Sequence, residues 1–404
     1  MTQRHLYLHV GFGKTGTSAL QSWLAINRKA LQKQGFRHHG VPKLTGEQQI
    51  FSGNGTEMKR YLDGEISAGR MLRHYFGWTG KKAIVSSEVL ELHNPVVRQR
   101  LAELQALPDL TLTVIAYVRN LYDLTYSTYV QLVKGRNYAG TWQAILNSDI
   151  PSSQINVSLE LDSCIHDCRF VHYNVHRRDV FTPFSEMTGI DQQRMQAISG
   201  DINRSLAQTE IRIVQFFSRT WQQFTDGAQT QLLSRRVSSG MIYDHPERSS
   251  DIVFNQELLQ FMVARHQQAV DTFNQQLGVK HGIELMVWDG KPYPNVRAEP
   301  EAQMNIPLLR EVVSYINDTQ CGYIPAALRA IFSARLAAID TVASLQLLTK
   351  VQRPDFSRTT NADKLADIMR EAELCFKTLQ PDAAECFAQW AVVFEKKASG
   401  NKPA

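Results

Sequence analysis

The segment HVGFGKTGTSAL gathers Gly11, Gly13 and Gly16 around Lys14 and sets Thr15, Thr17 and Ser18 beside them. Glycines at this density let backbone N–H groups converge on the oxygens of an anion. The helix that follows adds partial positive charge at its N-terminus, and the lysine supplies a full charge. Gly13, Lys14, Thr15, Gly16, Thr17 and Ser18 are therefore expected to bind a phosphate or sulfate group. The plainer reading of the same residues is a tight strand-to-helix turn with a solvated lysine. A nucleotide triphosphatase loop needs its lysine after the last glycine, in a GK[ST] triplet, whereas Lys14 precedes Gly16.

A second place for an anion lies in LTLTVIAYVRNLYDLTYSTYV. An apolar, β-branched run ends on Arg119, and Ser127 comes eight residues later, two turns into the next helical stretch. An arginine fork and a helix hydroxyl can hold one anion between them. Taken singly, the two also read as a strand-end ion-pair partner and a helix-face residue.

Transfer of a group from a bound anion to an acceptor requires a base close to the Lys14 loop. Glu88, at the carboxyl end of KAIVSSE, is the first choice, although the same position suits an N-cap or first-turn carboxylate of the helix after it. The rivals are histidines. His9 lies inside the first strand and reads as a core residue, while His38 and His39 follow Phe36 in a second strand and could face an acceptor.

KTGTSALQ resembles the 5′-phosphosulfate loop of the sulfotransferase family that uses 3′-phosphoadenosine 5′-phosphosulfate (PAPS). Arg119 and Ser127 match that family's 3′-phosphate motif in order and spacing. The SSE ending on Glu88 is similar to bacterial and glycosaminoglycan-acting members, in which a glutamate is the proposed base. The resemblance covers about residues 5 to 280. It implies a P-loop-like sulfotransferase fold, PAPS as co-substrate with no metal, and in-line displacement at sulfur with Lys14 and Glu88 as the catalytic residues. Gly13, Lys14, Thr15, Gly16, Thr17, Ser18, Arg119 and Ser127 would then bind the nucleotide. The partners implied are that small-molecule donor and a glycan or metabolite acceptor. The chain departs from the family after Arg119, where Asn120 and Leu121 stand in place of a nearby proline, and the geometry of that turn is left open. NRSLAQTEI is similar to a stretch of bacterial members near the nucleotide, although Ser205 in it is equally a plain N-cap. Tyr173 reads either as an adenine neighbour or as core, and stays outside the expected site.

The elements needed to position these residues are visible in the hydrophobic pattern. Strand-like runs at Leu6–Gly11, Lys82–Glu88, Leu110–Arg119 and Cys168–Asn174, with a further one at Phe36, alternate with helical stretches. That alternation predicts an α/β fold with a parallel sheet flanked by helices. One helical stretch runs from Thr17 until Gly35 stops it. From about Ser205 onward only helices are expected, with a polar loop over Ser234–Ser250 and a proline-rich linker over Trp288–Ala302. Two domains follow, residues 1–290 and an additional C-terminal helical region over 291–404.

Composition sets the outer limits. A formal charge of +5 over 404 residues suits an anionic ligand and falls short of the clustered basic stripe of a duplex-binding protein. The five cysteines form no CxxC pair and are odd in number, which points to a reducing compartment. No run approaches the ~20 apolar residues of a membrane helix, and the start enters a strand without a signal-like stretch, so a soluble, cytoplasmic protein is expected. Neither HExxH nor a zinc-type Cys/His spacing occurs. The competing function is a P-loop-type nucleotide kinase or triphosphatase, and a non-enzymatic binding module is the third reading. Residues 40–80, 135–165 and 225–250 are the expected acceptor loops.

Overall fold

The computed structural model describes residues 3–40, 53–198, 205–225, 238, 252–288, 290, 296–298, 304–317 and 324–400. Five strands lie parallel in the order β2-β3-β1-β4-β5: β1 Arg4–Val10, β2 Phe36–Arg37, β3 Lys82–Ser87, β4 Leu110–Val118 and β5 Cys168–His172. The protein is α/β, with this sheet flanked by helices. The middle strands can be parallel because both of their faces are apolar. Leu6 to Val10 of β1 and Leu112 to Val118 of β4 are all buried, as helix-covered strands require. Tyr7, Leu20, Trp23, Ile84, Ile115, Tyr117 and Phe184 form one core that fastens helices to the sheet.

Register decides where the candidate site residues emerge. Val10 lies opposite Ser87 on one side and Ala116 on the other, so the three central strands end at a common rim. From β1 the chain forms β2 and β3 on one side and then crosses to β4 on the other, which puts a topological switch point at the carboxyl end of β1.

The helix expected from Thr17 to Gly35 is two helices, Thr17–Ile26 and Arg28–Lys33. Asn27 separates them. Its Nδ2 donates to the carbonyls of Trp23 at 3.0 Å and Gln196 at 2.9 Å, and its Oδ1 accepts the Gln196 N–H at 2.6 Å. A side-chain amide that competes for backbone groups ends a helix in this way. The second strand is only Phe36–Arg37, and His38 and His39 lie just past its end.

The described residues divide into two compact units, residues 1–128, 142–203 and 255–292 in one, and 129–141, 204–254 and 293–404 in the other. The second unit holds the helices Gln208–Phe224, Ile306–Asn317, Ala326–Ala337, Thr341–Leu348, Ala362–Phe376 and Pro381–Ala398. Phe224, Ile331, Leu365, Met369, Phe376, Phe387 and Phe394 form its core. The expectation of helices only after Ser205 needs correction. Ile252–Phe254 (β6) and Val296–Ala298 (β7) pair in parallel. Strands of three residues are too short to show a period in the sequence. Apart from residue 238, the expected loop at Ser234–Ser250 lies outside the described residues, as does most of the Trp288–Ala302 linker. Among the described residues no helix is long and apolar enough to cross a membrane.

Leu8 is fully buried at the centre of β1, between β3 and β4. Leu8→Ala is expected to lower stability by about 2–5 kcal/mol. A urea titration should show the lower midpoint with an unchanged slope.

Candidate functional site

The loop after β1 remains tied to the sheet at its first residue, where the Gly11 N–H donates to the Ser87 carbonyl at 2.8 Å. A Cβ on Gly11 would lie 2.6 Å from Thr17 Cγ2 and 2.7 Å from Glu88 Cγ. Glycine is thus what allows Thr17 and Glu88 to pack on this backbone. Two residues then take left-handed conformations, Lys14 at φ 69 and Gly16 at φ 80, and the chain reverses into the helix that starts at Thr17. That conformation is uncommon for a side chain such as lysine. The helix has no side-chain cap on its first N–H groups, which leaves them open to an anion. Gly13 is exposed on the open flank of the loop, and a Cβ there would meet nothing within 4 Å.

The loop's hydroxyls differ in their commitments. Thr15 is buried, and its hydroxyl donates to the Phe12 carbonyl at 2.5 Å and lies 3.5 Å from the Thr17 hydroxyl. Thr17 is also buried, and its hydroxyl favours the charged form of the Glu88 carboxylate. Ser18, in the first turn of the helix, is half-buried.

Electrostatics couple the loop to its neighbours. Burial pushes the Lys14 ammonium down to about 8, helped by the nearby Arg119 charge and opposed by Glu88. Glu88 is exposed as a residue, yet partial loss of solvent at its carboxyl raises it above the usual carboxylate range against the pull of the Thr17 hydroxyl and the Lys14 charge.

Arg119 is the residue directly after β4. Its Nη1 donates to the Lys14 carbonyl at 2.7 Å, and its guanidinium carbon lies 5.0 Å over the centre of the Tyr173 ring. The Tyr173 ring in turn lies on the loop, since a Cβ on Gly16 would come within 3.0 Å of its Cε2. Arg119 Nε is buried and has no hydrogen-bond partner among the described residues. A buried donor in that condition carries a desolvation cost that an anion would remove.

The turn after Arg119, which lacks the proline of the resembled family, is fixed by side-chain amides. Gln154 accepts the Arg119 N–H at 3.1 Å and donates to the Arg119 carbonyl, while Asn174 Oδ1 accepts the Asn120 N–H at 2.9 Å. Ser127 sits on the Leu121–Arg136 helix, 7% exposed, and its hydroxyl has no partner among the described residues.

Glu88 has a comparable support. Because β2 pairs only with Lys82 and Ala83, the rest of that edge of β3 is completed by Asn54. Its side chain donates to the Ile84 carbonyl at 3.0 Å and accepts the Ser86 N–H at 2.8 Å, and its own N–H donates to the Ser86 carbonyl at 3.0 Å.

The structure thus brings Lys14, Glu88, Thr17 and Arg119 to one rim. The histidines behave differently. His9 is fully buried, with Nδ1 2.8 Å from Ser86 Oγ, and burial drives it down to about 3. His38 is enclosed against the Ile84 carbonyl and is held at about 4. His39 remains partly open beside His74, with ring centres 6.5 Å apart. Asn203 lies outside the described residues. Ser205 does not cap the helix it precedes, whose N-cap is Ala207, with the Ala207 N–H donating to Glu210 at 2.7 Å.

Sequence reasoning missed Gln154 and Asn54 and left Tyr173 out. The two amides act through backbone contacts at sequence separations of 35 and of 30 to 32, which no local pattern records.

No family model matches the chain, and no curated protein does. Among solved structures it is similar to a retinol dehydratase in complex with androsterone and the inactive cofactor PAP, at 12% identity and a TM-score of 0.31, over 73% of this chain and 84% of that one. A likeness at that level assigns no residue and no activity.

Lys14 gives a test of the electrostatics. Its folded value of about 8 lies below the ordinary lysine value of 10.5, so between these pH values the unfolded chain holds more protons. Stability should therefore rise with pH across that window by the Lys14 contribution. In urea titrations at pH 7.5 and 10, Lys14→Met should lack this part of the pH response. Identical pH dependence in the two proteins would show that Lys14 is freely solvated.

Proposed function

We propose that this protein transfers a sulfuryl group from PAPS to a hydroxyl or amine of an acceptor, with a glycan hydroxyl as one acceptor class. The observation that carries the reading is the bond from Arg119 to the Lys14 carbonyl. It brings Arg119 and the Lys14 loop to one rim, with Arg119 Nε still without a partner among the described residues, which supports a shared site for the two ends of a bisphosphorylated adenosine. On this reading the Lys14 loop and the start of the Thr17–Ile26 helix hold the 5′-phosphosulfate, and Arg119 with Ser127 holds the 3′-phosphate.

The chemistry is a single displacement. The acceptor oxygen or nitrogen forms a bond to sulfur as its proton passes to Glu88. The bond from sulfur to the bridging oxygen breaks, and its electron pair leaves on 3′,5′-adenosine diphosphate. Lys14 and the loop amides stabilise the charge that grows on the bridging oxygen. A carboxyl raised above its ordinary range makes Glu88 a stronger base than a solvated glutamate, nearer the strength that proton transfer at neutral pH needs.

A nucleotide kinase or triphosphatase is the second reading, favoured by the strand–loop–helix unit at the switch point. Ligand stabilisation separates the two. At a 3′,5′-adenosine diphosphate concentration 100 times its Kd, stability should rise by about 2.7 kcal/mol, seen as a thermal shift that Lys14→Ala reduces. Stabilisation by magnesium ATP alone would favour the kinase.

A second experiment addresses Glu88. With radiolabelled PAPS and pooled glycans, Glu88→Gln should slow transfer about 10²–10⁴-fold while still binding 3′,5′-adenosine diphosphate. Transfer by the variant at the wild-type rate would remove Glu88 as the base.

A further inference from the structure

Arg119 touches the first anion loop as well as being available to the second anion. Its Nη1 donates to the carbonyl of Lys14, the residue held at φ 69, while its planar face lies on Tyr173, whose ring packs against Gly16 at φ 80. The two left-handed residues that turn the loop are therefore each contacted by one member of the Arg119–Tyr173 pair, Lys14 by the guanidinium and Gly16 by the ring. Left-handed backbone at a non-glycine residue is costly and persists only where surrounding contacts determine it. The loop's own side-chain contacts run from the Thr15 hydroxyl to the Phe12 carbonyl and to the Thr17 hydroxyl, and both leave the Lys14 carbonyl to Arg119.

The guanidinium can serve both ends because its donors diverge. Nη1 is taken by the loop. Nε lies on another edge of the fork, buried and without a partner among the described residues. Gln154 holds the Arg119 backbone at both its N–H and its carbonyl, so the side chain projects from a fixed base.

We propose that Arg119 is a positioning residue for the Lys14 loop in addition to its contact with the 3′-phosphate, so that removing it weakens ligands that reach only the 5′ subsite. This rests on the sulfotransferase reading above, and the ligands in its test differ in whether they carry a 3′-phosphate.

The test is calorimetric titration of the full chain with 3′,5′-adenosine diphosphate and with adenosine 5′-monophosphate, which lacks the 3′-phosphate. Arg119→Ala is expected to weaken the bisphosphate and also to weaken the monophosphate about tenfold, equivalent to about 1.4 kcal/mol. Arg119→Lys keeps the charge but lacks the fork. It should weaken the monophosphate at least threefold at an unchanged melting temperature, which isolates positioning from loss of charge and serves if the alanine variant does not fold. Wild-type affinity for the monophosphate in either folded variant, with the bisphosphate still weakened, would overturn the positioning role and leave the sulfotransferase reading standing. If the wild type binds neither nucleotide, that reading fails and the positioning role falls with it.

Discussion

A guanidinium resting on a backbone carbonyl links two parts of this chain that are more than one hundred residues apart. The bond from Arg119 to the Lys14 carbonyl requires β1 and β4 to be neighbours, to run parallel and to end at matched heights. The Val10–Ala116 register meets all three conditions. Shifting β4 by one residue would turn its side chains to the other face of the sheet and carry Arg119 away from the loop. The switch-point geometry depends on that register, and so does the packing of Tyr173 beneath the arginine.

The same rim sets two charges against their surroundings. Lys14 and Glu88 each lose solvent, which works against the charged form of both, and each partly restores the other's charge. Arg119 adds a second cation beside Lys14, which works against the Lys14 charge. A site with more positive charge than its own carboxylate can balance is suited to an anionic ligand. The Thr17 hydroxyl holds the carboxylate in this competition, and the absence of a Cβ on Gly11 is what admits both groups.

Side-chain amides do the work of missing strands at the two strand ends that carry Glu88 and Arg119. Asn54 completes β3 where β2 stops, and Gln154 meets both backbone polar groups of Arg119 where β4 stops. Unpaired backbone groups at a buried rim are costly, and a primary amide carries both N–H donors and an acceptor oxygen, so one side chain can satisfy a backbone carbonyl and a backbone N–H together. The Glu88 and Arg119 side chains therefore project from fixed backbone although they stand beyond the ladder.

The sequence by itself determined the α/β class. Apolar β-branched runs such as LTVIAYV alternate with helical stretches, and that period follows from local side-chain geometry. The kinds of residue able to grip an anion were legible for the same reason: glycines around Lys14 and an arginine at a strand end are local features. Contacts between distant segments were decided only by the tertiary structure. Asn27 breaks a helix because Gln196 reaches it, β6 and β7 are strands because they find each other, and His9 and His38 are enclosed because neighbouring elements exclude water from them. The meeting of Arg119 with the Lys14 carbonyl belongs to this second kind. Spacing along the chain names both residues, but only strand order and register bring them within 2.7 Å.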